Sequence, residues 1–515
     1  MPRALPRLCS WLVAAWLTGG MHATTAAAPP AAPAASGALS GATDTLPLPV
    51  LAALHDARLP PGALAVEVLE VGVAKPRLAW REREPVNPAS LMKLYTTGVA
   101  LERLGPAWTW QTPVYVSGPV ERGVLHGDLV IVGRGDPSLT IERVWLLLRQ
   151  VRARGVREVR GDIVLDSSAF AVPGGDAGDF DGERLRPYNV LPDALLLNQK
   201  SLMLSFVPDA ARGVASVSVE PPLAGVEVDA SVPLGRPGRA CGDWRDALKI
   251  DVSNPQRVRF GGSFPSACGD KSWPIAFADA RSYNARLIES LWRELGGGLD
   301  GRVREGKLDD TAAQLLTEFA SVPLAQVVRD INKFSNNVMA QQLFYTLPLA
   351  TAEAANGGAT SDLDAARALV AGTVSQRIGC GAAELVIDNG SGLSRLSRSS
   401  AHCLAAWLQA QWVSPAMPEL LASLPVPGHD GTTRRPGRDW GPALGRAHLK
   451  TGSLRDVVAI AGEVLGASGR RYLIAAVIQH DNAQAGRPVL DALVQWTAAD
   501  EAAAGCCGAM ATTRP

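Results

Sequence analysis

Three short groups of polar residues in this sequence have the types and spacings needed to break an amide bond. The groups are Ser90 with Lys93, Ser335 with Asn337, and the run Lys450-Thr451-Gly452. A serine hydroxyl beside a base that can take its proton is an activated nucleophile. Each group alone is weak evidence. All three in this order, each in a suitable structural setting, predict an active-serine site for acyl transfer.

The chemistry gives the first two groups distinct tasks. Ser90 Oγ would attack a carbonyl carbon, and Lys93 would take the serine proton, since we expect burial near Lys450 to lower the pKa of the Lys93 amine. Ser335 would relay a proton to the leaving amine. The Asn337 amide can both donate to and accept from a peptide bond of the substrate.

The third group would bind substrate. Lys450 supplies positive charge, and the hydroxyls of Thr451 and Ser453 are placed to hold a substrate carboxylate. Gly452 has no Cβ, so substrate is expected to lie against the strand edge there. The backbone N–H groups of Ser90 and Ser453 form the predicted oxyanion hole.

Single residues also have simpler structural roles. Ser335 can be a helix N-cap, Asn337 a turn residue and Lys450 an exposed charge at a strand edge. All of these simpler roles would have to hold at once for the acyl-transfer prediction to fail.

The elements around the first group are a strand pair and a helix. Strands are predicted at Leu64–Val71 and Arg77–Trp80, and a helix begins at Pro88 and ends at Gly105. Residues three apart share a helix face, so Ser90 and Lys93 can meet. The free N–H groups of the first turn favour negative charge on the serine.

The other two groups fall between predicted helices and on a terminal strand. A helical pattern from Leu324 leads to Ser335, and a second helix is predicted at Val338–Leu347. The sequence then predicts an antiparallel meander closed by a helix. The predicted strands are His448–Gly452, Val457–Val464 and Tyr472–Gln479, and the closing helix is Pro488–Thr497.

Between the first two groups, short runs that alternate apolar and polar residues predict many strands. We interpret residues 112–307 as an insertion of one or two mainly β subdomains. Ile141–Arg154 and Ala280–Leu295 are its predicted helices, and Gly174–Glu183 is a predicted loop.

Charge and composition exclude some classes of partner. Among 515 residues, 50 Lys and Arg balance 50 Asp and Glu, so no net field favours nucleic acid. A basic start followed by the apolar stretch Leu8–Leu17 predicts a signal peptide over residues 1–28. Residues 29–43 are predicted to be a linker and 501–515 a flexible tail. We therefore expect an exported, periplasmic protein without a stable membrane anchor.

The cysteines fit an oxidising compartment. The chain has 7 Cys, and Cys9 would leave with the signal peptide. The remaining six are Cys241, Cys268, Cys380, Cys403, Cys506 and Cys507. Six cysteines allow fifteen pairings, and the sequence does not choose among them. Cys241 with Cys268 is the preferred pair, while the vicinal Cys506 and Cys507 are not expected to tie the core. No metal or cofactor site is predicted.

With these groups in this order, the chain resembles the class C low-molecular-mass penicillin-binding proteins, the D-alanyl-D-alanine carboxypeptidase/endopeptidase family. The long gap between Ser90 and Ser335 matches that family's large insertion. The segments Gly133–Leu139 and Asp388–Arg395 also look like family segments. The resemblance implies an α+β fold, in which an antiparallel sheet flanked by helices is formed by residues 44–111 and 308–500.

The resemblance also implies an activity. The chain would remove the terminal D-Ala from peptidoglycan stem peptides and cleave cross-links through an acyl-enzyme on Ser90, and β-lactams would acylate the same serine. Asn336 and Ser453 stand where relatives often have Asp and Thr, which keeps hydrogen bonding and suggests tuning. In some relatives an acidic residue of the insertion meets a substrate amine, a role open to Asp181 or Glu183, although a solvated loop is the simpler reading.

Other functions remain open at this point. A serine β-lactamase or a D-amino-acid esterase or amidase can use the same scaffold, although no residue stands out that would activate water for fast deacylation. A non-catalytic peptidoglycan-binding module is the alternative of a different class.

Overall fold

The computed structural model describes residues 45–500, apart from 237, 239, 310, 312, 355–359 and 436. The predicted signal peptide, linker and C-terminal tail, with Cys506 and Cys507, lie outside the described residues. No helix in the described part of the chain is long and apolar enough to cross a bilayer.

A five-stranded antiparallel sheet pairs the first strands of the described chain with the last ones. Its strands, in spatial order, are Leu78–Trp80, Leu64–Glu70, Arg471–Gln479, Val457–Leu465 and Ala447–Leu454. The predicted C-terminal meander is therefore present, and the strand Ala447–Leu454 that carries Lys450 lies at the edge of the sheet.

Both faces of this sheet are covered by helices. Side chains alternate along a strand, so Leu64 and Val66 face one core while Ala65 and Leu69 face another. The helices Leu48–Asp56 and Arg487–Ala498 pack together over the first face. The second face carries the larger core and further helices, some of which position the three polar groups. These helices are Met92–Leu104, Leu324–Phe334, Asn337–Ala354, Leu363–Ile378, Ala401–Trp412 and Met417–Ser423.

The chain between these parts builds smaller sheets around a core of its own. The largest is a mixed sheet ordered Val303–Glu305, Ile163–Asp166, Leu129–Val132, Gln111–Val116 and Gln314–Ala320. The helices Ile141–Ala153 and Ala280–Glu294 contribute apolar residues to the same core. An antiparallel sheet contains Ser231–Pro233, Val214–Glu220, Ser201–Asp209 and Lys271–Ala276.

The remaining sheets are formed by very short strands. One contains Glu227–Val228, Arg257–Phe260 and Ile250–Asp251, near the helix Trp244–Leu248. Another contains Gly298–Leu299, Glu158–Val159, Val124–Leu125 and Val120–Glu121. Two-stranded pairs join Phe170–Ala171 to Ser361–Asp362 and Leu385–Val386 to Arg398–Ser399. The mainly β character predicted for residues 112–307 is present. The division of the chain into domains stays a prediction.

Two disulfides tie the described chain. The preferred pair Cys241–Cys268 is confirmed, with an S–S distance of 2.03 Å. Cys380 pairs with Cys403 at 2.07 Å, a bond that the sequence left open. Glu384 lies beside this second pair, but both sulfurs are already committed to the disulfide rather than available as thiolate ligands for a metal.

Candidate active site

Ser90 lies in a single 3₁₀ turn, Ala89–Leu91, that runs directly into the helix Met92–Leu104. The predicted helix start at Pro88 is therefore wrong by four residues. The difference arises at Ala89, which has the left-handed φ of 47°, a conformation that breaks the regular helix. Asn87 Oδ1 accepts a 2.9 Å hydrogen bond from the Ala89 N–H and so helps to hold the turn.

Lys93 is fully buried, and three oxygens surround its amine. The amine nitrogen Nζ lies 3.0 Å from Ser90 Oγ, 2.7 Å from Asn337 Oδ1 and 2.6 Å from the Ser391 carbonyl oxygen. Burial, and next the positive charge of Lys450, hold the pKa of Lys93 well below its usual range. A neutral amine has two N–H groups and one lone pair. If the N–H groups go to Asn337 and Ser391, the lone pair faces the serine hydroxyl.

The loop that provides the Ser391 carbonyl fits tightly against the nucleophile turn. Asn389 Oδ1 accepts hydrogen bonds from the backbone N–H groups of Ser391, at 3.1 Å, and Gly392, at 3.2 Å. A Cβ on Gly392 would lie 1.8 Å from the Ala89 carbonyl oxygen, and the glycine φ is +77°. The segment Asp388–Arg395 stands out in the sequence, but the contact of its backbone with Lys93 and with the Ser90 turn was not predicted, and the glycines of the loop are the signal that could have indicated it.

Ser335 and Asn337 lie in the turn between two helices. Ser335 ends the helix Leu324–Phe334 with a left-handed φ of 56°. Asn336 Oδ1 accepts a 3.0 Å hydrogen bond from the Met339 N–H, which places the cap of the next helix on Asn336. The alternative in which Ser335 acts as an N-cap is therefore wrong, and its side chain is free to meet Lys450.

Lys450 is buried and reaches this turn from the edge of the central sheet. Its Nζ donates to Ser335 Oγ at 2.9 Å and to the Thr451 carbonyl at 2.7 Å. Burial lowers the pKa of Lys450 to about 7. Since Lys93 bonds Asn337 and Lys450 bonds Ser335, the structure brings the three predicted groups together at one turn.

The strand that carries Lys450 leaves one edge open. The Leu449 N–H donates at 2.8 Å to Pro425, outside the sheet. Backbone groups alternate along an antiparallel strand, so the N–H groups of Thr451 and Ser453 face the same outer side. Thr451 Oγ1 lies 2.6 Å from Thr432 Oγ1, and Ser453 is exposed. The role of the Ser453 N–H in an oxyanion hole stays a prediction.

The structure gives a reason for a glycine at position 452 that the sequence did not reveal. A Cβ at this position would lie 3.0 Å from the Pro88 carbonyl oxygen and 3.2 Å from Ala89 Cβ. The missing side chain therefore lets the nucleophile turn pack on the strand. The contact with substrate expected at this glycine from the sequence stays a prediction beside this packing role.

The insertion reaches the same turn. Asn337 Nδ2 lies 3.5 Å from the Tyr188 carbonyl oxygen, and Asn336 Nδ2 donates to Gln199 Oε1 at 3.1 Å. Asp181 accepts from Tyr188 Oη at 3.0 Å, so this carboxylate is bonded within its own loop. Glu183 is likewise paired with Arg186, at 3.2 Å. A role for either acidic residue in meeting a substrate amine stays a prediction.

Comparisons with known proteins match most of this chain. The sequence profile of the D-Ala-D-Ala carboxypeptidase 3 (S13) family matches residues 49–500. A D-alanyl-D-alanine carboxypeptidase of Actinomadura sp. (strain R39) is 29% identical over 447 residues, covering 81% of this chain and 78% of the relative.

Solved structures show the same fold. The crystal structure of penicillin binding protein 4 (dacB) from Haemophilus influenzae superposes with a TM-score of 0.70 at 23% identity, covering 87% of this chain and 97% of that one. The same protein in complex with a β-lactam gives a TM-score of 0.65 at 22% identity, with 84% and 93% covered. The predicted fold, a sheet flanked by helices with a large insertion, is confirmed.

Proposed function

Because the chain belongs to the D-Ala-D-Ala carboxypeptidase 3 (S13) family, we propose that it hydrolyses D-Ala-D-Ala stem peptides of peptidoglycan through an acyl-enzyme on Ser90. The observation that carries this proposal is the set of contacts around Lys93, whose amine lies 3.0 Å from Ser90 Oγ and 2.7 Å from Asn337 Oδ1. A buried amine with a lowered pKa in this position is a general base for the serine.

Acylation follows from this geometry. Ser90 Oγ attacks the carbonyl carbon of the penultimate D-Ala while its proton passes to Lys93 Nζ. The carbonyl oxygen becomes an oxyanion, which the backbone N–H groups of Ser90 and Ser453 stabilise. When the C–N bond breaks, the leaving D-Ala nitrogen takes a proton from Lys450 Nζ through Ser335 Oγ, since these two atoms lie 2.9 Å apart. The proton that Lys93 received from Ser90 then replaces the one that Lys450 gave up, which leaves Lys93 neutral before water attacks.

Deacylation returns the enzyme to its starting state. Water adds to the ester carbonyl of the acyl-enzyme, its proton passes to a nearby base, and the C–O bond to Ser90 breaks as the hydroxyl is re-formed. Lys93 is the base closest to the ester oxygen, and it carries a proton only briefly because burial disfavours its charged form. The same serine would open the amide of a β-lactam ring, as the complex of the Haemophilus influenzae protein suggests.

Cleavage of cross-links is part of the proposal. A D-Ala–diaminopimelate cross-link presents the same D-Ala carbonyl with a larger amine on the leaving side, and the open edge of the strand Ala447–Leu454 gives that amine room. We also propose that the chain acts in the periplasm after export, as expected from its N-terminal sequence and from its two disulfides.

Digestion of purified muropeptides tests the activity. We expect pentapeptide monomers to lose one D-Ala and cross-linked dimers to yield monomers, with mass spectrometry of the products as the readout. The Ser90→Ala variant should leave both substrates intact. Intact substrates with the wild-type enzyme, or equal cleavage by the variant, would contradict the proposal.

A chromogenic cephalosporin separates this function from a β-lactamase. A penicillin-binding protein should release about one equivalent of chromophore per chain and then stop for as long as the acyl-enzyme lasts. Sustained rapid release would favour the β-lactamase alternative.

A further inference from the structure

The guanidinium of Arg487 lies beside the hydroxyl that follows the Lys450-Thr451-Gly452 run. Arg487 begins the helix Arg487–Ala498, and its Nη2 lies 3.3 Å from Ser453 Oγ, to which it donates. Ser453 is exposed and Arg487 is half-buried. A cation from outside the three polar groups thus reaches the open edge of the candidate site.

A glutamine fixes this guanidinium in place. Arg487 Nη2 donates to Gln484 Oε1 at 2.6 Å, and Gln484 Nε2 donates to the Leu454 carbonyl at 2.5 Å. Gln484 therefore links the arginine to the end of the strand Ala447–Leu454. Because Gln484 already restricts the Arg487 side chain, binding an anion there would cost less side-chain entropy.

The charge of Arg487 is not neutralised by a contact within the described part of the chain. Its neighbour Arg438 forms an ion pair with Asp491, whereas no described carboxylate forms an ion pair with Arg487. Burial, then Arg435 and Arg438, lower the pKa of Arg487 below its ordinary, very high value, and the Asp491 carboxylate offsets only part of this effect. An arginine stays charged under these conditions, so the surroundings favour the arrival of an anion.

We propose that Arg487 is a specificity-determining residue that binds the carboxylate of the leaving residue, together with the hydroxyls of Thr451 and Ser453. The inference rests on the proposed function, since a D-Ala-D-Ala stem peptide ends in this carboxylate. A carboxylate that accepts from Ser453 Oγ is within reach of the guanidinium, which adds a charge-assisted hydrogen bond. A substrate with a neutral end lacks this contact.

The test compares two synthetic peptides, an acylated L-Lys-D-Ala-D-Ala and the same peptide with a C-terminal carboxamide. For Arg487→Ala we expect kcat/KM on the acid to fall about 10- to 100-fold, mostly through KM. On the carboxamide the change should stay within about twofold. Arg487→Lys should recover part of the loss, because it restores the charge without the planar fork.

Two controls keep the result interpretable. Arg212→Ala removes an equal charge from an exposed turn of the insertion and should leave both peptides unaffected. Arg487→Gln keeps a polar side chain of similar length if the alanine variant folds poorly, which thermal unfolding reports.

Each outcome decides the question. A selective loss on the acid in Arg487→Ala or Arg487→Gln supports the inference. An equal loss on both peptides would assign Arg487 a purely structural role and overturn it, as would an unchanged rate on the acid. If the wild-type enzyme hydrolyses neither peptide, the proposed function itself is wrong and the inference falls with it.

Discussion

Lys93 Nζ lies 3.0 Å from Ser90 Oγ, while the Asn337 side-chain oxygen and the Ser391 carbonyl occupy its other contacts at 2.7 and 2.6 Å. The 3₁₀ turn that leads into the helix explains why Lys93 is near Ser90, but only the two distant oxygens fix where the lone pair of Lys93 points. Lys93 is therefore oriented by parts of the chain that lie 244 and 298 residues further along the sequence.

Replacing Lys93 by arginine should greatly slow acylation. A guanidinium stays protonated in proteins, so it cannot take the Ser90 proton. We expect the acylation rate with a fluorescent penicillin to fall about 10²- to 10⁴-fold, the usual contribution of a positioned base. Stopped-flow fluorescence measures the rate, and a rate close to that of the wild type would remove Lys93 from the role of base.

The pH dependence of kcat/KM should reveal the titration of the Lys450 amine. Its pKa of about 7 reflects burial, so its positive charge is present below that pH and is lost as the pH rises through it. If the charge is needed for binding, kcat/KM should decline on the alkaline side near pH 7. In Lys450→Arg the charge persists to much higher pH, so the alkaline decline should disappear or move upward. Identical alkaline limbs in both enzymes would contradict this role.

Alanine at Gly392 should damage both stability and acylation. The added Cβ would lie 1.8 Å from the Ala89 carbonyl, and the backbone φ of +77° disfavours any side chain. We expect a loss of at least about 2 kcal/mol in the free energy of unfolding, together with slower acylation because the turn that carries Ser90 must move.

Gly372 provides the matched control for that change. It lies within the helix Leu363–Ile378, and nothing is within 4 Å of the position a Cβ would take. Gly372→Ala should therefore stabilise the protein by about 0.5–1 kcal/mol and leave acylation unchanged. Urea unfolding compares the two variants, and equal effects of the two substitutions would refute the packing argument.

The disulfide Cys380–Cys403 should stabilise the core beneath the candidate site. It closes a loop of 23 residues, for which chain entropy gives about 3 kcal/mol. The double Cys→Ser variant should lower the unfolding free energy by about that amount and lose penicillin acylation at a lower temperature. Removal of Cys241–Cys268, which closes a similar loop of 27 residues in the insertion, should leave acylation at 25 °C intact. Equal thermal loss of acylation in both variants would contradict this difference.

Periodicity and glycine stops allowed much of the fold to be predicted. The short apolar runs Leu129–Val132 and Ile163–Asp166 form strands within the region predicted to be mainly β, and the helix Ala280–Glu294 ends one residue before the predicted end at Leu295. Gln314–Ala320 was missed because Leu315 is exposed and the strand exists only through its pairing with Gln111–Val116, about 200 residues earlier. Such long-range pairing leaves no local signal.

Those parts of the candidate site that act through side chains could be predicted from the sequence. Those that act through backbone atoms could not. Ser90, Lys93 and Lys450 were identified by residue type and spacing. The Ser391 carbonyl could not be, because every residue has one and only the folded loop aims it. Arg487 was also missed, since a lone arginine at a helix start resembles any other surface charge until its contact with Ser453 is seen.

The central claim is that one hydroxyl, that of Ser90, is the reactive group on which the three distant groups converge. Mass spectrometry of the intact protein after benzylpenicillin, followed by peptide mapping, tests it most directly. We predict one covalent equivalent on the peptide that contains Ser90, and none in Ser90→Ala. An adduct on another residue, or an adduct that persists in Ser90→Ala, would contradict the account.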